Sequence, residues 1–256
     1  MKTLIKTAVA AAMCAAFFAG CASVPAVPEK DGVITVTVPQ GTRLMVRVKT
    51  ADGSPVHIRG ADKTVIPGTD EVRELKEEKP MQILSAAGTL IKFTGNITEF
   101  DIKDNGTVES IGTSGCPQLE VLYCAGNKIS SLQLSANKAL KRLQCYNNRL
   151  PALDVSQQSR MELLWCGINR LNALDVSGCT NLTQLRCYLN GIDSAAMDAL
   201  LRSLPAENAT KVSVREARIL APADTMKNGI PSEAAVKAAE ERGWRILTSA
   251  DVSVYP

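Results

Sequence analysis

Four cysteines, Cys124, Cys145, Cys166 and Cys187, stand twenty-one residues apart, and Asn127, Asn148, Asn169 and Asn190 repeat at the same interval. The apolar residues around them keep step. Leu119, Leu140, Met161 and Leu182 form one column, Leu122, Leu143, Leu164 and Leu185 a second, and Ile129, Leu150, Leu171 and Ile192 a third. Leu132, Leu153 and Leu174 form another, followed by Leu134, Val155 and Val176. A less regular copy over residues 97–105 puts Ile102 in the Cys column and Asn105 in the Asn column, with one extra residue before the next copy. A fixed period of this length marks a chain built from stacked supersecondary units. A single unit cannot bury its own apolar side, so such a chain folds only by laying one turn on the next.

Each column has a physical reason. The Leu rows fuse into one core when turns stack. An Asn at the end of each short strand can satisfy backbone groups left unpaired as the chain bends inward, because its amide both donates and accepts. Cys in the strand column serves as a small buried hydrophobe. With Cys116 and Cys179 the number of cysteines beyond residue 21 is even, which in an exported chain usually suggests disulfides. The spacing argues for reduced thiols instead. Successive ladder cysteines sit on neighbouring parallel strands about 4.8 Å apart with their side chains pointing the same way, a poor arrangement for the torsion that a disulfide requires. A line of thiols is not a tetrahedron, so no metal site and no cofactor is expected.

The pattern Leu-x-x-Leu-x-Cys-x-x-Asn-x-Leu-x-x-Leu-Asp-Val-Ser, nearly complete over residues 141–156 and 162–177, resembles the repeat of the cysteine-ladder internalins. It is also similar to the leucine-rich repeat lipoproteins of Gram-negative gut and oral bacteria. The first full copy departs from it with Gln133-Leu134-Ser135. The resemblance covers residues 97–192 and implies an α/β leucine-rich repeat solenoid, a curved parallel sheet of about five strands with 21-residue repeats. It implies a binding role and transfers no catalytic residue.

The first twenty residues have the build of a secretory signal, with Lys2 and Lys6, an apolar stretch over residues 8–18, and the small residues Ala19 and Gly20. Cys21 follows at once, and Phe18-Ala19-Gly20-Cys21 resembles the lipobox of bacterial lipoproteins. That resemblance implies cleavage before Cys21, acylation of its thiol, and attachment to a membrane through the lipid. Ala22 stands where an Asp would imply retention at the inner membrane, so the resemblance implies the outer membrane; no motif encodes which face, and the cell surface is the expected side, ahead of the periplasmic one. The formal charge of +3 includes Lys2 and Lys6, leaving 3 − 2 = +1 after removal of the signal. A nearly neutral chain makes nucleic acid an unsuitable partner.

Residues 21–30 read as a tether with Pro25 and Pro28. Residues 31–95 read as a β-rich cap domain for the open N-terminal end of the stack, with period-two alternation over residues 33–38 and 44–48. Residues 96–192 hold the repeats, and residues 193–256 read as a mixed α/β C-terminal cap. There Asp193 or Ser194 caps a helix bearing Met197, Leu200, Leu201 and Leu204, and a strand follows within residues 211–220. A second helix over residues 232–242 ends at Gly243 and precedes a strand over residues 244–247.

Strand alternation turns Leu and Cys inward and leaves three rows outward on the concave face. These are Glu99, Val121, Arg142, Leu163, Gln184; then Asp101, Tyr123, Gln144, Trp165, Arg186; then Lys103, Ala125, Tyr146, Gly167, Tyr188. Three of the four tyrosines and one of the two tryptophans fall in these rows. Tyr, Trp and Arg dominate binding hot spots because they bury large area and keep a polar handle. Tyr123, Arg142, Tyr146, Trp165, Arg186 and Tyr188 are therefore the candidate ligand-binding residues. His57 is the only histidine and no nucleophile or carboxylate motif surrounds it, so no catalytic residue and no enzymatic activity is expected. The reading is an adhesin-like, monomeric surface lipoprotein whose partner is a protein or a glycan. The alternative is a periplasm-facing lipoprotein with a structural or assembly role that holds an envelope protein.

Overall fold

The computed structural model describes residues 32–62, 65–66 (backbone only), 81–206, 215–220 and 228–247. The segment read as an export signal, Cys21 and the expected tether lie outside the described residues. The strands are β1 (Val33–Thr37), β2 (Arg43–Thr50), β3 (Val56–Arg59), β4 (Val65–Ile66), β5 (Gln82–Ser85), β6 (Leu90–Thr94), β7 (Ile97–Asp101) and β8 (Ser110–Gly115). They continue with β9 (Val121–Tyr123), β10 (Arg142–Gln144), β11 (Leu163–Trp165), β12 (Gln184–Arg186), β13 (Arg215–Arg218) and β14 (Trp244–Leu247). Among the described residues the helices are α1 (Ser194–Ser203) and α2 (Glu233–Glu240). The molecule is thus mostly β, and the α/β expectation holds only for its C-terminal part. The segments that return from one repeat strand to the next are turns closed by local bonds, such as Ser156 N to Asp154 Oδ1 at 2.9 Å and Ser177 N to Asp175 Oδ1 at 2.8 Å. Asp favours such turns over helix because its short carboxylate competes for nearby backbone amides.

The main sheet has nine strands in the order β14-β13-β12-β11-β10-β9-β7-β2-β5. From β14 to β7 every pairing is parallel and in register, so the irregular copy at residues 97–105 takes its place as a rung, with Phe100 beside Leu122. The expected all-parallel sheet is corrected at its N-terminal end. There β2 pairs antiparallel with β7, and β5 antiparallel with β2, so the sheet is mixed. The cap therefore does not merely cover the first turn; it supplies two more strands that satisfy the open edge of β7.

A second sheet, β4-β3-β6-β1-β8, packs its apolar side on the first. Alternation in β1 and β2 buries Ile34, Val36, Leu44, Val46 and Val48, and Phe93 of β6 meets Phe100 of β7 edge to face at 5.0 Å. Strand β8 follows β7 in sequence yet pairs with β1. At the far end α1 starts at Asp193, whose side chain accepts from Ala196 N, and α2 starts at Ser232, which accepts from Ala235 N. These caps satisfy amides that the first turn of a helix leaves unpaired. Met197, Leu200 and Leu201 face the core as the spacing predicts.

The Asn column forms a continuous hydrogen-bonded ladder. In each of the last three repeats the amide Nδ2 donates to carbonyls of its own turn and the one before, as Asn169 does to Cys145, Cys166 and Gly167 at 3.0, 3.1 and 3.2 Å. Oδ1 accepts the backbone amide nineteen residues back, Leu150 N for Asn169 at 3.0 Å. Asn105 ends the ladder on the backbone of Met45 in β2, donating at 2.9 Å and accepting at 2.7 Å. Asn228, outside the periodic column, closes the other end by donating to Cys187 O and Ile219 O. All six described cysteines are buried free thiols.

A second buried column went unnoticed in the sequence: Cys116, Asn137, Gln158 and Cys179, also twenty-one residues apart. Asn137 donates to Thr113 O at 2.9 Å, Gln158 to Leu134 O at 2.8 Å, and the Cys179 thiol to Val155 O at 3.4 Å. The acceptor lies twenty-four residues back in all three cases.

One column carries strain. After each strand the chain turns through a left-handed residue: Gly126, Asn147, Ile168 and Leu189 have φ of 66, 54, 55 and 53°. A side chain there costs roughly 1–2 kcal/mol, with Asn tolerated best and β-branched residues worst. Replacing half-buried Ile168 by Asn, the residue at this place one turn earlier, is expected to raise stability by about 1 kcal/mol, or Tm by about 2–4 °C. Differential scanning calorimetry tests this. A lower Tm would mean that packing of the isoleucine outweighs its backbone strain.

Candidate functional site

The outward rows are set by the burial alternation of β9 to β12, in which the middle Leu of each strand is buried and its two neighbours are not. Three outward positions are nevertheless covered. Asp101 is fully buried beneath Arg47 of β2, whose Nη2 lies 2.7 Å from Oδ2. Ala125 is fully buried. Gly167 lies under the ring of Tyr188: a Cβ at residue 167 would stand 3.4 Å from Cε2 and Cζ of that ring.

Toward its N-terminal end the face is charge-balanced. Lys49 Nζ meets Glu99 at 2.8 Å, and Arg47 bridges Glu99 and Asp101. Toward the C-terminal end aromatic rings and cations gather. The Arg186 guanidinium lies over the Trp165 ring, with Cζ 4.0 Å from its centroid, and the Tyr146 ring sits 6.5 Å from Trp165 at 50°. Burial raises the Tyr146 hydroxyl pKa, with a further push from Asp104. Burial lowers that of Arg186, and Arg218 lowers it further. Arg218 is the residue beside Arg186 on β13.

Of the residues expected from sequence, the structure therefore brings together Tyr146, Trp165, Arg186 and Tyr188. Tyr123 stands one strand further off, with Gln144 between it and Trp165 in the row. Arg142 is exposed in the neighbouring row, between Val121 and Leu163. Sequence reasoning missed Arg218, because the repeat has ended before β13 and no period announces its register. It also passed over Gly167. The signal was present: a small residue, Ala125 or Gly167, precedes Tyr146 or Tyr188 by one repeat. His57 is exposed on β3. Among the described residues no group of three or more His, Cys, Asp or Glu side chains converges as metal ligands would, and no helix is long and apolar enough to cross a membrane.

No family model matches this chain, and no curated protein matches it. Among solved structures it is similar to the functional domain of InlJ from Listeria monocytogenes, which includes a cysteine ladder, at 25% identity and a TM-score of 0.41. The match covers 54% of this chain and 30% of that one, so this chain spans under a third of its length.

Proposed function

We propose that the chain is a surface-anchored lipoprotein of the outer membrane, built on a leucine-rich repeat solenoid whose concave face binds a protein or glycan ligand in the manner of an adhesin. The observation that carries this reading is the cluster of Tyr146, Trp165, Arg186 and Tyr188 on the outward face of the main sheet. The chain is poor in aromatics, 4% overall, so their gathering on one face is not a matter of supply. Half-buried aromatic groups that still reach the surface and adjoin an arginine are the residue types that anchor interfaces, and Cys21 would supply the lipid that holds the face at the membrane.

Two experiments test the reading. Replacing Trp165 with Ala is expected to weaken ligand binding by about 2 kcal/mol or more, roughly thirtyfold, because central aromatic anchors dominate such interfaces. The ligand would come from an array of matrix proteins, mucins and glycans, and Tm should change little. Unchanged binding would remove this face from the function. Protease treatment of intact cells, with a periplasmic protein as control, is expected to shave the chain while sparing the control. Protection until the outer membrane is opened would move the partner inside the envelope.

A further inference from the structure

The outward face of the repeat strands is not an open aromatic platform. Arg186 lies over Trp165 at 4.0 Å from the ring centroid, and Tyr188 lies down against Gly167. A guanidinium resting on an indole is fixed in place by the ring's quadrupole and loses little further freedom when its fork engages a ligand. What the two arginines lack is a carboxylate in contact. Among the described residues neither the Arg186 nor the Arg218 guanidinium makes a hydrogen bond or an ion pair, although the two residues stand side by side on adjacent strands, within roughly 5 Å at the backbone. Arg218 Nε and Trp165 Nε1 are both covered and both without a partner. The nearby carboxylate of Glu216 acts on Arg186 only through space, and more weakly than Arg218 does. Elsewhere on the same face the cations do have carboxylates, Arg47 and Lys49 pairing with Glu99 and Asp101, although Arg47 Nε too is covered and makes no hydrogen bond. Two adjacent cations with unmet donors are unfavourable alone and favourable around an anion.

Resting on the binding role proposed above, we infer that Arg186 and Arg218, with Trp165 as the bed of Arg186, form a carboxylate subsite that receives an Asp or Glu side chain of a protein partner. A planar carboxylate matches the fork of each guanidinium. A polypeptide is favoured over an acidic saccharide because a sugar ring needs a free aromatic face for stacking, and the Trp165 face is taken by Arg186. Val121 and Leu163, half-buried in the adjoining row on either side of exposed Arg142, add apolar surface against which a protein packs.

The test uses the whole mature chain and two probes, a short oligoglutamate peptide and an oligogalacturonate of similar length, followed by Trp fluorescence at low salt. The chain has two tryptophans, and Trp244 is buried at 2% exposure, so a change reports on Trp165. The peptide is expected to bind and to be weakened about tenfold by each of Arg186→Gln and Arg218→Gln. Arg149→Gln, which removes an equal charge at an exposed position off these rows, should leave it unchanged, and Tm measured alongside confirms that each variant folds. Equal binding by all variants overturns the subsite. So does the absence of binding by either probe. Binding of the saccharide alone overturns the protein partner in favour of an acidic glycan. A ligand lost with Trp165→Ala but kept by both arginine variants would leave the binding face standing and this subsite refuted.

Discussion

Between pH 7 and pH 10 the protein is expected to lose a large part of its stability, and its thiols are the cause. Burial pushes Cys116, Cys145, Cys179 and Cys187 up to about 12, and Cys124 and Cys166 well above the ordinary 9.0. In the folded chain these groups stay protonated at pH 10, whereas in the unfolded chain they ionise. The unfolded state therefore binds fewer protons across this window, and stability falls as pH rises from about 9 toward 12. Below about pH 8 both states hold the protons and the thiols add no pH dependence. At pH 10 each thiol costs on the order of 1 kcal/mol, so the six together cost several kcal/mol, a large part of the whole stability of an ordinary domain. Urea midpoints at pH 7, 9 and 10 measure this. Replacing Cys145 and Cys166 by Val should remove about a third of the slope, since a β-branched residue, Ile102, already fills this column in the first rung. An unchanged slope in that variant would assign the effect to lysine and tyrosine titration instead.

The second large effect is expected at Asn169. Its partners are not equally exposed to its loss. Cys145 O keeps Asn148, Cys166 O keeps Asn190, and Gly167 O keeps the amide of Asn147. Leu150 N, however, has Asn169 Oδ1 as its acceptor and is left buried and unpaired without it. Asn169→Ala combines that orphaned donor, three lost bonds and a small void, for about 3–5 kcal/mol. Asn172, three residues on and exposed, should cost under about 0.5 kcal/mol when changed to Ala. Chemical denaturation of both variants decides the matter. Similar values would mean that solvent reaches the ladder and replaces its bonds.

Which parts of this molecule could be read from its sequence follows from which interactions repeat. The Leu, Cys and Asn columns serve the same neighbour in each turn, so the same residue type recurs and the register is visible. Both terminal helices were visible too, because Asp193 and Ser232 cap them locally. The column Cys116, Asn137, Gln158 and Cys179 has the same period but was hidden by its mixed chemistry. What its last three members share is a donor reaching one turn back, a property that hydropathy does not register. Strand β8, Ser-Ile-Gly-Thr-Ser-Gly, has poor strand propensity. It is held as a strand because it lies close on β1, where a Cβ at Gly112 would stand 2.4 Å from Thr35 Oγ1. Asn228 and Arg218 continue the ladder and the outward row from a segment without periodicity, and only the pairing of β12 with β13 puts them there. At the candidate site the residue types were legible, but not the placement of a guanidinium over the half-buried Trp165 indole, which depends on side-chain packing across strands.

The two ends of the Asn ladder bear on how such a protein changes over generations. Each internal Asn engages only its own turn and the one before, whereas the ends are closed by other parts of the chain, Met45 through Asn105 and Asn228 after Cys187. In-frame duplication or loss of twenty-one codons between residues 124 and 187 therefore leaves both closures intact and every carbonyl with a donor. The reach of the outward face is in this sense a heritable length, adjustable in steps of one strand spacing, about 4.8 Å, without a new joint having to arise.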